Sequence, residues 1–170
     1  MWVFQLAGLL FVAVIVAAGA AWFRRWRLAV ALVVFVPAKL IVEKLVVKQL
    51  VERERPGTTT CSADGQFDPT CGNFRGDVPL DCLSFVSGHA IIAWGVATML
   101  WAMLPACWRW IPVVIAILNA VARVYLGTHN PLDVVGGGAV GVALGVLLGM
   151  AFGVRTVAGR QAPDLSDQSA

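Results

Sequence analysis

RVYLGTHNPLDVVGGGAVGVALGVLLG, residues 123–149, carries Arg123, His129 and Asp133 in its first eleven positions and no ionisable side chain after them. The stretch before it, Trp110 to Ala122, is also free of charge. A hydrocarbon interior penalises charge, so ionisable residues gathered between two apolar runs mark a membrane surface and a site on it. The second run places Gly137, Gly141, Gly145 and Gly149 at intervals of four. In a membrane helix this spacing makes a smooth face for close packing, read here as packing within the chain rather than as a dimer seam.

The rest of the chain agrees. Its 170 residues are 59% hydrophobic and 14% charged, with a mean hydropathy of +0.79. That excludes disordered chains and ordinary soluble domains, and the length suits one domain. The net charge of +3 comes from basic residues spread along the chain, which excludes a nucleic-acid face. The four cysteines contain no C-x-x-C pair, which argues against a zinc site.

Five apolar runs are expected to cross a bilayer whose core is about 30 Å thick. Trp2 to Phe23 is the first. Arg24, Arg25 and Arg27 follow it instead of preceding it, so it reads as a retained span and not a signal peptide. Leu28 to about Val51 is the second, interrupted by Pro37, with Lys39 and Glu43 placed to pair at i,i+4. Residues 90–108, Trp110 to Ala122 and Leu132 to Val154 complete the set. The three early arginines, Arg109, Arg155 and Arg160 then share one side, which the positive-inside rule assigns to the cytoplasm. The loop 52–86 and residues 123–131 fall on the outer side. Residues 1–155 form one transmembrane domain, and 156–170 read as a disordered cytoplasmic tail. In the outer loop, two of Cys61, Cys71 and Cys82 can pair, in any of three ways. Cys107, on the inner side, reads as a reduced, buried or interfacial thiol.

Three outer segments carry chemistry. In KQLVERERP, Lys48 and Arg55 are seven apart, two helical turns, and share a face. Taken alone, they read more simply as snorkelling side chains, with Glu52 neutralising Lys48. In FVSGHA, Ser87, Gly88 and His89 open a helix. A glycine there lets an anion approach the backbone N–H groups, although a plain Ser87 N-cap explains the serine equally well. In the third segment Asn130 can cap a helix that begins at Pro131, and Asp133 can reach back to a ring nitrogen of His129. An ion pair between Arg123 and Asp133 is the alternative, but it leaves both histidines without a role. Together the segments supply cations, backbone donors, two histidines and one carboxylate on one face, a set suited to binding and cleaving a phosphate.

These residues resemble the type 2 phosphatidate phosphatase family, membrane lipid phosphatases that share a site with vanadium haloperoxidases. The family's motifs are K-x6-R-P, P-S-G-H and S-R-x5-H-x3-D. The chain has Lys48, Arg55 and Pro56, then Ser87, Gly88 and His89, then Arg123, His129 and Asp133 at the same spacing. Val86 stands for the usual proline, Ala122 for the usual serine, and five spans for the usual six. The resemblance covers residues 30–155 and implies an all-α polytopic helix bundle. It implies that His129 attacks phosphorus, Asp133 fixes its tautomer, and His89 protonates the leaving group. Lys48, Arg55, Ser87, Gly88 and Arg123 would hold the phosphate, with no metal and no cofactor. The expected function is hydrolysis of a lipid phosphate or diphosphate, isoprenyl or phospholipid, at the outer face of the plasma membrane. Transfer to an acceptor other than water is one alternative. A non-catalytic binder of anionic headgroups is another. No nucleic-acid partner is implied, and the oligomeric state is left open.

Overall fold

The computed structural model describes residues 10–51 and 83–154. Arg55, Glu52, the three loop cysteines, Arg155, Arg160 and the tail lie outside the described residues. The described residues form helices α1 (Leu10–Trp22), α2 (Trp26–Ile41), a π-helical stretch Val42–Val47, α3 (Lys48–Val51), α4 (Gly88–Met103), α5 (Trp110–Tyr125) and α6 (Pro131–Ala151). The all-α expectation is met, and the helices follow the apolar runs.

Pro37 does not interrupt the second run. It sits inside α2, which continues past it. A proline removes one intrahelical hydrogen bond and crowds the carbonyl four residues earlier. Here helix packing tolerates that, with Phe35 and Leu32 fully buried beside it. The irregularity comes later, at Val42–Val47, where the bonding widens to i→i+5 and the Lys48 N–H reaches the Glu43 carbonyl.

The packed centre lies between α2, α4 and α6. Gly95 on α4 makes room for the Phe35 ring, which would overlap any β-carbon there. The glycine row of α6 packs on α4 within the chain, as its spacing suggests. A β-carbon at Gly145 would stand 2.9 Å from the Gly95 carbonyl oxygen, and one at Gly141 would strike the Ile91 carbonyl. Gly149, last of the row, faces open space.

The outward surface is apolar. Val33, Leu45 and Leu50 on the second run, Val114 and Val121 on α5, and Val135 and Leu147 on α6 are all exposed. Soluble monomers rarely expose so much contiguous apolar surface. By length and composition α6 can cross a membrane: its 21 residues rise about 31 Å. The other apolar helices, Phe11–Trp22, α4 and α5, are shorter.

The two ends of the bundle carry different side chains. At one end the turn after α1 brings Arg25 to the sulfur of Met103, at 3.9 Å. The Arg27 guanidinium lies 3.5 Å from where a Gly153 β-carbon would be. The α1–α2 turn, the end of α4 and the end of α6 therefore meet. Cys107, near this end, is free, as expected of a reduced thiol, and exposed, so of the expected settings burial does not hold. The histidine and lysine segments lie at the opposite end.

Candidate active site

The site is assembled where α4 and α6 begin. The α5–α6 turn needs a left-handed residue, and Gly127 supplies it at φ 66°. Thr128 ties the turn down, its N–H and its hydroxyl both bonding the Arg123 carbonyl at 3.3 and 3.0 Å. Asn130 is the N-cap of α6 and Pro131 its first residue, as the sequence indicates. Asp133 accepts the Asn130 N–H at 2.8 Å, one arm of a capping box.

His129 and Asp133 are both buried. Nδ1 of His129 is 3.9 Å from the Asp133 carboxylate, ion-pair distance when the ring is protonated. Ser84 stands between them. Its hydroxyl lies 3.4 Å from His129 Nδ1 and donates to the nearer Asp133 oxygen in a short hydrogen bond. The i,i+4 pairing expected from the spacing is present at ion-pair distance, and Ser84 adds a hydroxyl contact to both partners. Sequence reasoning missed Ser84. Its only signal was a second serine three residues before Ser87.

The α4 start is fastened to the same place. The Ser87 N–H bonds the Asp133 carbonyl at 3.0 Å. Ser87 holds the N-cap position of α4 but makes no side-chain cap bond. Its hydroxyl is buried without a partner among the described residues. The capping explanation of this serine therefore fails. Gly137 gives the segment its seat, since a β-carbon there would stand 2.6 Å from the Ser87 carbonyl oxygen. Gly136 and Gly138 accommodate Phe85 and the Trp94 indole in the same way. His89 follows in the first turn of α4, half-buried.

Lys48 reaches this end through a carboxylate. Glu43 pairs with Lys39 in a short contact and with Lys48 at 3.5 Å, all three buried. The Lys39 pairing is the expected one. The partner of Lys48 is Glu43; the Glu52 expected from spacing lies outside the described residues. In an α-helix residues five apart face different ways. The wider π-helical turn brings Glu43 and Lys48 into line. The Glu43 carboxylate then lies against Gly88, where a β-carbon would meet its oxygens at 2.6 and 2.7 Å. The space that Gly88 leaves open is filled by this internal carboxylate.

Arg123 is buried at the end of α5. The structure thus joins Ser87 to Asp133 and His129, and Lys48 to Gly88, across three sequence-distant segments. Arg55 lies outside the described residues. No group of three or more His, Cys, Asp or Glu suited to a metal ion gathers among the described residues.

A bundle with an apolar exterior and a buried histidine–carboxylate cluster at two helix starts defines the class: an all-α protein with a polar cluster at one end of an apolar bundle. A profile of the PAP2 superfamily matches residues 24–156, and the chain belongs to that superfamily. It is similar to an undecaprenyl-diphosphatase of Sulfolobus acidocaldarius, 43% identical over 60 residues, which cover 34% of this chain and 28% of that protein. The match thus spans little more than a quarter of that relative's length. In fold it is similar to the crystal structure of a transmembrane PAP2-type phosphatidylglycerolphosphate phosphatase from Bacillus subtilis. The TM-score is 0.60 and the identity 26%, over 87% of this chain and 72% of that one.

Proposed function

We propose that the chain is an integral-membrane phosphatase that hydrolyses a lipid phosphate or diphosphate through a phosphohistidine. The observation that carries the reading is the physical union of the motif segments. His129, Asp133 and Ser87 are joined through hydrogen bonds within one buried cluster, and Glu43, which pairs with Lys48, lies against Gly88.

In this reading the Nε2 lone pair of His129 attacks phosphorus. A P–N bond forms, the bond to the leaving oxygen breaks, and His89 supplies that oxygen with a proton. Water, losing a proton to His89, then attacks the phosphohistidine and releases phosphate and neutral His129. Lys48, Arg55 and Arg123 neutralise the phosphate oxygens, with the Ser87 hydroxyl and the Gly88 N–H beside them. The unpartnered Ser87 hydroxyl suits this use.

Five spans fit the apolar outer surface. The 16-residue helices α4 and α5 are short for a span, at about 24 Å, and flanking residues make up the length. The arginine-bearing end is cytoplasmic by the positive-inside rule, which puts the site on the outer face under the loop 52–86. The substrate is an isoprenyl or phospholipid phosphate, a reading to which the names of both relatives lend support.

The test is phosphate release by purified protein in detergent, with chelator present, against a panel of lipid phosphates and diphosphates. His129→Ala is expected to lower the rate by about ten-thousandfold while lipid binding persists. Trapping of an acid-labile, base-stable phosphoprotein by wild type and not by this variant is the second expected result. Unchanged phosphate release by His129→Ala overturns the reading. Adding alcohol acceptors separates hydrolysis from transfer by the products formed.

A further inference from the structure

We infer that Ser84 is a positioning residue that relays Asp133 to His129 and decides which ring nitrogen attacks. The inference rests on the phosphohistidine reading above and goes beyond it. Ser84 is fully buried, and its hydroxyl lies within reach of both partners.

With Asp133 ionised, the hydrogen inventory of the cluster favours one arrangement. An ionised carboxylate accepts and does not donate, and a serine hydroxyl has one proton. Asp133 already accepts the Asn130 N–H, and it takes the Ser84 proton as well. The Ser84 oxygen therefore has no proton left for His129, and what it offers the ring is a lone pair. Nδ1 of His129 must then carry a hydrogen and donate it to Ser84. In a neutral imidazole the other nitrogen, Nε2, is left unprotonated, and this is the nucleophile the reaction needs.

The relay also carries charge. When Nε2 bonds to phosphorus the ring becomes cationic and Nδ1–H turns into a stronger donor. Ser84 passes that interaction on to the Asp133 carboxylate, and no proton has to move. The ring lies 3.9 Å from the carboxylate, within ion-pair reach but beyond hydrogen-bond range, so the hydroxyl supplies the hydrogen-bonded link between them.

Among the described residues the Ser84 hydroxyl has no other hydrogen-bond partner. The N-cap positions of α4 and α6 are Ser87 and Asn130, so Ser84 caps neither helix. A hydroxyl kept only for packing would have no need to face both groups.

The test compares Ser84→Ala, Ser84→Cys, Asp133→Ala and the Ser84→Ala/Asp133→Ala double variant. Each is measured for kcat, KM and the single-turnover rate of phosphohistidine formation on a lipid monophosphate. Ser84→Ala is expected to lower kcat and phosphohistidine formation by about tenfold to a hundredfold, with KM within about twofold of wild type. Ser84→Cys, close in size but a weak donor, is expected to fall between them, and it answers the question if the alanine variant unfolds. The double variant should be no slower than Asp133→Ala, because the two residues act as one unit.

Wild-type kcat in Ser84→Ala or Ser84→Cys overturns the relay, as do losses that multiply in the double variant. A loss confined to KM overturns it too. None of these results touches the phosphohistidine reading so long as His129→Ala remains inactive. Phosphate release by His129→Ala removes that reading first, and the relay falls with it.

Discussion

The two halves of the site are held by different forces. Around His129 the geometry is fixed by short-range bonds: a capping box, a backbone bond from Ser87 to Asp133, and a glycine seat on α6. Around Lys48 it is fixed by charge, with one carboxylate between two ammonium groups, all buried, on a widened helical turn. The first half depends on shape and tolerates no added atom. The second depends on charge balance and tolerates no removed one. In the proposed mechanism the first half aligns a nucleophile, which demands tight geometry. The second supplies a cation, whose field reaches further and asks less of position.

The sharpest way to break this contrast is to neutralise Glu43. In Glu43→Gln two buried ammonium groups lose their counter-charge. Stripping one partner from a buried ion pair costs about 3–5 kcal/mol. The variant should melt well below wild type in the same detergent. Adding Lys39→Met to it should restore part of the loss, because one of the stranded charges is gone. Wild-type stability in Glu43→Gln would mean that the cluster is solvated and that charge balance does not organise this half.

The second break is made in the other half. A β-carbon at Gly137 meets the Ser87 backbone, which has no flexible end to move aside. Gly137→Ala should therefore push the α4 start away from Asp133. We expect kcat to fall by about a hundredfold, since misplacing a reacting group by about 1 Å costs that much, beside an overpacking cost of about 1–3 kcal/mol in stability. At Gly88 the atoms in the way belong to the mobile end of Glu43. Gly88→Ala should have the smaller effect on rate, and the reverse order would sink the distinction between a shape-held and a charge-held half.

The same contrast explains what could be read from the sequence. The apolar runs and the N-cap of α6 depend on local spacing, and the structure follows them. Ser84 could not be singled out, because its partners come from a turn 45 and 49 residues away. The pairing of Glu43 with Lys48 was hidden as well. Five residues apart is the wrong spacing for an α-helical pair, and the π-helical turn that corrects it is set by packing. Pro37 misled in the opposite sense, since a proline reads as a break wherever packing is left out of account. Arg55, central to the motif, lies outside the described residues, and its place beside Lys48 rests on spacing alone.

The smallest effect tests the helix seam that carries both halves. Gly141 and Gly149 occupy equivalent places in one repeat, so sequence alone assigns them the same duty. The structure separates them. A β-carbon at Gly141 would meet the α4 backbone at Ile91 and Gly95, whereas one at Gly149 would meet nothing. Gly141→Ala should thus force α4 and α6 apart and cost about 1–3 kcal/mol, as overpacking does. Gly149→Ala adds a better helix former in open space and should leave stability unchanged or raise it by about 1 kcal/mol at most. Equal losses at both positions would mean that Gly149 also packs against a surface, in which case the row of four glycines would extend beyond the seam with α4. An unchanged Gly149→Ala beside a weakened Gly141→Ala confines the seam to the three glycines nearest the site.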